Sequence, residues 1–141
     1  MWDRRKTLRH IVQREPHNVL CIEDDGANLQ LIRQVFARRS DICLLTATSG
    51  IEGLVLARDT SPAVVLLDIR LPDMDGEEVL HLLRADPNTA SIPVIIVTAD
   101  VSARRKQSLL DAGAEMYITK PIDVHQLVDI VDTMIRDHAT I

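Results

Sequence analysis

The chain has 141 residues, a net charge of −5 and only three aromatic residues, Trp2, Phe36 and Tyr117. That length points to one domain, able to bury roughly two-thirds of its unfolded surface. Residues 1–17 carry five Lys/Arg and two acids (net +3), and the rest carries eleven Lys/Arg and nineteen acids (net −8), which argues against direct nucleic-acid binding and base stacking by the folded part.

Residues 1–17 form a basic tail in which Leu8, Ile11 and Val12 could share an apolar face. A partner-docking helix and a linker or vector scar are both open for this segment. Val19 to Asp24 is a short apolar run ending in acids, and Ala27 to Arg39 has apolar residues at helical spacing. Ile42 to Ala47 predicts a second strand and Ile51 to Arg58 a second helix. Ala63 to Leu67, bounded by Pro62 and Pro72, is apolar throughout and predicts a strand buried on both faces, ending at Asp68. A third helix is predicted over Glu77–Arg84, and a fourth strand over Val94–Thr98. The fourth helix, Ser102–Asp111, stops at Gly113, a suitable residue just past a helix end. Met116–Thr119 predicts the last strand. Asp123 is a candidate N-cap for a fifth helix through Arg136. Cys21 and Cys43 are read as small buried apolar residues, too few for a disulfide framework. With no signal peptide and no apolar stretch of membrane length, a cytoplasmic protein without a membrane segment is expected.

Five strands alternating with five helices imply a parallel sheet covered on both faces. Right-handed crossovers leave few topologies, and the flavodoxin-like order 2-1-3-4-5 is one of two common doubly wound solutions. In that order the strand ends carrying Glu23-Asp24-Asp25, Asp68, Thr98-Ala99 and Lys120-Pro121 lie side by side on one edge. Neighbouring strands are about 4.8 Å apart, so Asp24 and Asp68 could share one cation. Crowded carboxylates repel unless a positive charge intervenes, and a hard divalent ion such as Mg²⁺ suits oxygen ligands. A carboxylate nucleophile, a metal seat, a lysine and a hydroxyl are the parts needed to transfer a phosphoryl group onto a carboxylate.

Four segments carry a family resemblance: Val19-Leu20-Cys21-Ile22-Glu23-Asp24-Asp25, Leu66 to Gly76, Val94-Ile95-Ile96-Val97-Thr98-Ala99 and Tyr117-Ile118-Thr119-Lys120-Pro121. Together, in this order and spacing, they resemble the receiver domains of two-component response regulators over residues 18–138, leaving 1–17 and 139–141 as tails. The resemblance implies a (βα)5 flavodoxin-like fold. It implies that Asp68 accepts phosphate from a histidine kinase or histidine phosphotransfer protein. Glu23, Asp24, Asp68 and the backbone carbonyl of Arg70 would hold Mg²⁺. Thr98 and Lys120 would bind phosphoryl oxygens, small Ala99 would leave them room, and Lys120-Pro121 would be cis. Thr98 and Tyr117 would form the switch, changing the surface of the fourth helix, fifth strand and fifth helix. That surface would bind a downstream protein, or a second copy in a weak homodimer of an otherwise monomeric protein. Parts of the chain also resemble receivers of hybrid histidine kinases, and no effector domain is expected after the last helix. An Asp24-Asp25 acid pair is the alternative to Glu23-Asp24.

Competing functions are a phosphorylation-independent scaffold and a haloacid dehalogenase-like phosphatase. The latter needs a second Asp two residues after the nucleophile, where this chain has Arg70. The receiver resemblance implies no turnover of an external substrate, only the domain's own phosphorylation and dephosphorylation. Asp73 and Asp75, with Gly76, are expected to serve the turn and the start of the third helix. Arg104-Arg105-Lys106 is expected to be a solvated helix face, with a partner-docking role as the alternative. His10, His17, His81, His125 and His138 show no metal-ligand spacing. An exposed Arg70–Asp100 ion pair is expected at the rim of the site, screening the phosphoryl group from water.

Overall fold

The computed structural model describes residues 15–100 and 102–139. The reading of residues 1–14 lies outside them. The elements are β1 (His17–Ile22), α1 (Gly26–Phe36), β2 (Ile42–Ala47), α2 (Gly50–Thr60), β3 (Val64–Asp68), α3 (Gly76–Ala85), β4 (Val94–Thr98), α4 (Ala103–Asp111), β5 (Met116–Thr119) and α5 (Val124–Ala139). The sheet is parallel with order β2-β1-β3-β4-β5, the flavodoxin-like order expected.

β3 and β4 are buried at every position. This is the reason their sequences are unbroken apolar runs rather than alternating ones. Two cores flank the sheet. One face buries Leu20, Ile22, Val65, Leu67 and Ile96 beneath Ala57 of α2, Leu80 of α3 and Leu109 of α4. The other buries Val19, Cys21, Leu66, Val97 and Ile118 beneath Ile32 of α1 and Leu127 of α5. Alternate residues of each strand serve opposite cores, as the two-residue pleat requires.

Local chemistry starts and stops the helices. Asp25, Ser49, Asp75 and Ser102 are N-caps of α1 to α4, and the Asp123 carboxylate accepts from Gln126 N at 3.1 Å in the first turn of α5. Gly113 ends α4 at φ 104°. There Gly113 N donates to Leu110 O and Ala114 N to Leu109 O, the paired bonds of a Schellman motif.

Asp73 departs from expectation. It does not serve the start of α3. Its two carboxylate oxygens accept from Gly50 N at 2.7 Å and Ile51 N at 2.9 Å, while Ser49 Oγ accepts from Glu52 N at 3.2 Å. The loop after β3 therefore satisfies donors left open at the start of α2. Those backbone N–H groups hold the Asp73 carboxyl below its usual range.

Arg84 is a second such tie. Its guanidinium donates to Gly113 O, Ala90 O and Ile92 O, joining the end of α3 to the loop before β4 and to the loop between α4 and β5. Burial lowers its pKa from the ordinary value, and Glu115 acts against that shift.

The cysteines split. Cys21 is buried and its thiol is pushed up to about 12, by burial first and then by Glu23 and Asp68. Cys43 is only partly buried and pairs in register with Asn18, so the two thiols stand three residues out of step on neighbouring strands.

Candidate functional site

The C-terminal strand ends converge on an open cleft of about 450 Å³, lined by Glu23, Asp24, Asp25, Asp68, Arg70, Thr98, Ala99 and Lys120. β1 and β3 are neighbours, with Ile22 level with Leu67. That register puts the acids after Ile22 beside Asp68. β4 follows on the other side, with Asp68 level with Val97. β5 completes the edge with Thr119 level with Thr98, which brings Lys120 into the cleft. The Lys120–Pro121 peptide is cis, and Lys120 N donates to Thr98 O at 2.8 Å.

Glu23, Asp24 and Asp68 each place one carboxylate oxygen within 4.8 Å of the others. Glu23 and Asp68 are buried, and Asp24 is exposed to solvent. Asp25 stands apart in role: its Oδ1 accepts from Ala27 N and Asn28 N and caps α1. Its backbone N donates to Glu23 Oε1 at 3.1 Å.

The cluster is short of positive charge. Lys120 Nζ stands 3.2 Å from Glu23 Oε2 and 3.4 Å from Asp68 Oδ1, one ammonium among three carboxylates. Burial and the adjacent Asp68 push the Glu23 carboxyl up to about 7. Burial opposes the Lys120 ammonium, yet Asp68 and Glu23 together raise its pKa above the ordinary value. An all-oxygen donor set with unbalanced negative charge, open on one side, fits a hard divalent cation that keeps some of its water.

Thr98 is buried at the end of β4, and its Oγ1 accepts from Asp100 N at 3.0 Å. Arg70 N donates to Asp68 Oδ1 at 3.4 Å, while its side chain is exposed at the rim. Ala99 also lines the cleft. Tyr117 lies deeper, level with Ile96 and so two residues back along β5 from the pair Thr98–Thr119, on the same face of the sheet. Its ring packs against the core under α4, with Lys106 Nζ 4.6 Å from the ring centroid.

Two expectations about charges do not hold. Arg70 and Asp100 form no ion pair among the described residues: Asp100 Oδ1 accepts from Ser102 N at 3.0 Å instead. That bond chiefly holds its carboxyl below the usual range, and Arg105 and Arg70 add smaller pulls from a distance. Nor is the basic run of α4 simply solvated. Arg105 Nη2 reaches both Asp75 oxygens, at 2.7 and 2.9 Å, its Nη1 reaches Glu77 Oε2 at 3.3 Å, and Lys106 covers Tyr117. Ser108 Oγ also donates to Glu77. Only Arg104 of the three is exposed, and Arg105 and Lys106 are half-buried.

Gly76 is a site residue whose importance no spacing in the sequence revealed. A β-carbon there would stand 2.5 Å from Asp68 O and 2.6 Å from Ile69 Cα. Its N donates to Ile69 O at 2.6 Å. The start of α3 thus lies directly against the backbone of Asp68, at a distance that only glycine permits. An Asp-Gly pair opening a helix was the available hint, but it reads equally well as turn chemistry.

Comparison with known proteins bears on this arrangement. Residues 19–132 match the model of the response regulator receiver domain. The polar-differentiation response regulator DivK of Brucella anthropi is 34% identical over 122 residues, spanning 86% of this chain and 98% of DivK. Among solved structures, the receiver domain of Francisella response regulator 1452 superposes with a TM-score of 0.79 at 30% identity, covering 86% of this chain and 98% of that one. The receiver domain of sensor histidine kinase PA1611 from Pseudomonas aeruginosa superposes with a TM-score of 0.77 at 26% identity, covering 85% and 98%. That structure carries a magnesium ion coordinated in its active-site cleft.

Proposed function

The chain belongs to the response regulator receiver domain family, and we propose that it is a phosphoacceptor switch charged on Asp68 from a phosphohistidine. The observation that carries this reading is the cleft itself, where a buried carboxylate, two further acids, a lysine and a buried hydroxyl face one another. Receiver domains are phosphoacceptor switches rather than classical enzymes. This one would catalyse only its own phosphorylation and dephosphorylation.

Each residue has a role in this reading. A carboxylate oxygen of Asp68 attacks phosphorus, an O–P bond forms, and the N–P bond of the donor breaks. The departing imidazole takes a proton from solvent. Thr98 donates its hydroxyl hydrogen to one phosphoryl oxygen, and Lys120 pairs with another. Glu23, Asp24, Asp68 and the Arg70 carbonyl are the groups that would hold Mg²⁺. When bound, Mg²⁺ offsets the negative charge gathered by the acids and the phosphoryl group. Hydrolysis returns Asp68 and releases inorganic phosphate when water attacks phosphorus. Thr98 and Tyr117 relay the change to the surface of α4, β5 and α5.

The partners in this reading are a histidine kinase or histidine phosphotransfer protein upstream and a protein target downstream. The chain would act as a monomer or as a weak homodimer through α4, β5 and α5, in the cytoplasm. Residues 18–138 would form the working unit, with tails at 1–17 and 139–141. Among the described residues no helix is long and apolar enough to cross a membrane.

Acetyl phosphate with Mg²⁺ tests the reading directly. Intact mass should show one added phosphoryl group on the wild type, and none on Asp68→Asn. Phosphate on Asp68→Asn, or none on wild type with Mg²⁺ and donor in excess, would overturn the assignment.

A further inference from the structure

The two walls of the cleft are joined, on the side of α3 and α4, by a chain of contacts that closes at Arg105. On the β4 wall, Thr98 Oγ1 accepts from Asp100 N, Asp100 Oδ1 accepts from Ser102 N, and Ser102 Oγ accepts from Arg105 N, at 3.0, 3.0 and 3.2 Å. On the β3 wall, the backbone of Arg70 bridges that of Asp75. Gly76 N then donates to Ile69 O at 2.6 Å, and Asp75 Oδ1 caps α3 by accepting from Glu77 N at 2.8 Å. The Arg105 guanidinium connects the walls through its bonds to Asp75 and Glu77.

An isolated exposed ion pair fixes little. This contact differs in three ways. The Arg105 side chain is only 23% exposed. One of its nitrogens donates to both oxygens of Asp75, and its second nitrogen holds Glu77. A rigid planar fork sets direction as well as distance. Its anchor also lies at the end of the loop that follows the phosphoacceptor.

We propose that Arg105 is a positioning residue for the site: through Asp75 it sets where the Arg70 carbonyl stands relative to the Thr98 hydroxyl. The inference rests on the reading of the cleft as a Mg²⁺-dependent phosphoacceptor site. Arg105 touches neither the metal seat nor the phosphoryl position. It acts by holding the loop after β3 and the start of α4 at one separation. Lysine at this position keeps the charge but loses the fork, so it supports the separation only in part.

The test uses the full chain and two readouts. In metal-free protein, amide hydrogen exchange followed by NMR should show Gly76 and Asp100 exchanging about tenfold faster in Arg105→Ala, with Leu66 in β3 unchanged. Mg²⁺ affinity by calorimetry should weaken about tenfold, the low end of what outer partners of metal ligands contribute. Arg105→Lys should fall between. Arg104→Ala, at the exposed neighbour, should match wild type in both readouts. Asp75→Asn keeps a capping oxygen but loses the charge, so it should reproduce the Arg105→Ala signature even if that variant folds poorly. The double variant should be no weaker than either single one. Unchanged exchange at Gly76 and Asp100, with Mg²⁺ affinity within twofold of wild type in both single variants, would overturn the proposal. A wild type that binds no Mg²⁺ would sink the phosphoacceptor reading instead, and the metal-free exchange arm would still judge Arg105.

Discussion

Replacing Gly76 with alanine should damage the site through the backbone rather than through chemistry. The added β-carbon would stand 2.5 Å from Asp68 O, 2.6 Å from Ile69 Cα and 3.1 Å from Asp68 C. Ordinary contact begins near 3.4 Å, so something must recede by about 0.9 Å to relieve the closest approach. Every one of these neighbours is main chain, at the last residue of β3, which pairs with Val97 of β4, or the residue after it, and no side chain can swing away. Overpacking of this kind costs about 1–3 kcal/mol. For a domain of this size each kcal/mol lowers Tm by roughly 3–4 °C. The Asp68 carboxylate hangs from the same residue that must move, and displacement of a reacting group by about 1 Å can slow a reaction about 100-fold. Gly50→Ala is the matched control. Its β-carbon would meet Met74 Cγ at 2.5 Å, Met74 Sδ at 2.9 Å and Val79 Cγ2 at 2.9 Å, all side-chain atoms away from the cleft. Methionine repacks readily. Thermal melts and acetyl phosphate labelling of both variants separate the two effects. Both should lose some stability, and only Gly76→Ala should label at least about tenfold more slowly. Labelling of Gly76→Ala within twofold of wild type would refute the reasoning.

The pH dependence of stability should carry the mark of Glu23. Its folded pKa, about 7, lies above the ordinary value of 4.5, so the folded state binds more protons than the unfolded state between those values. This contribution to stability is full below pH 4.5 and is lost as pH rises through 7. The lowered carboxyls of Asp41, Asp73 and Asp100 have the opposite sign, and their contributions are lost only as pH falls below the ordinary carboxylate range. Metal-free wild type should therefore lose Tm between pH 5.5 and 7.5 relative to Glu23→Gln, and saturating Mg²⁺ should remove that loss; parallel Tm profiles without metal would contradict the assignment. Arg84→Ala should cost about 2 kcal/mol, because four donor contacts to three backbone carbonyls vanish together. Urea denaturation measures this, with Arg58→Ala as control, since among the described residues Arg58 makes only a loose contact to Asp86 at 3.9 Å. Equal midpoints for the two variants would show that Arg84 ties nothing.

Read alone, the residues of this chain determined the five βα units and the strand ends that gather Glu23, Asp24, Asp68, Thr98 and Lys120 on one edge. Buried parallel strands must be apolar on both faces, so β3 and β4 announce themselves as unbroken runs, and any polar residue at their ends stands out. Local rules also made Asp75, Asp123 and Gly113 legible, because a cap binds the backbone of its own helix. Periodicity tells which face of an element is buried, but it does not say which distant side chain will meet it. Tertiary structure alone decided that Asp73 caps a helix 22 and 23 residues earlier in the chain, and that Arg105 reaches back 30 residues to Asp75. It also drew Asp100 to Ser102 rather than to Arg70, and pressed Gly76 against the carbonyl of Asp68. These contacts depend on where packed elements come to rest, to within about an ångström in a close-packed interior. That precision comes from the whole core and is held by no single segment of sequence.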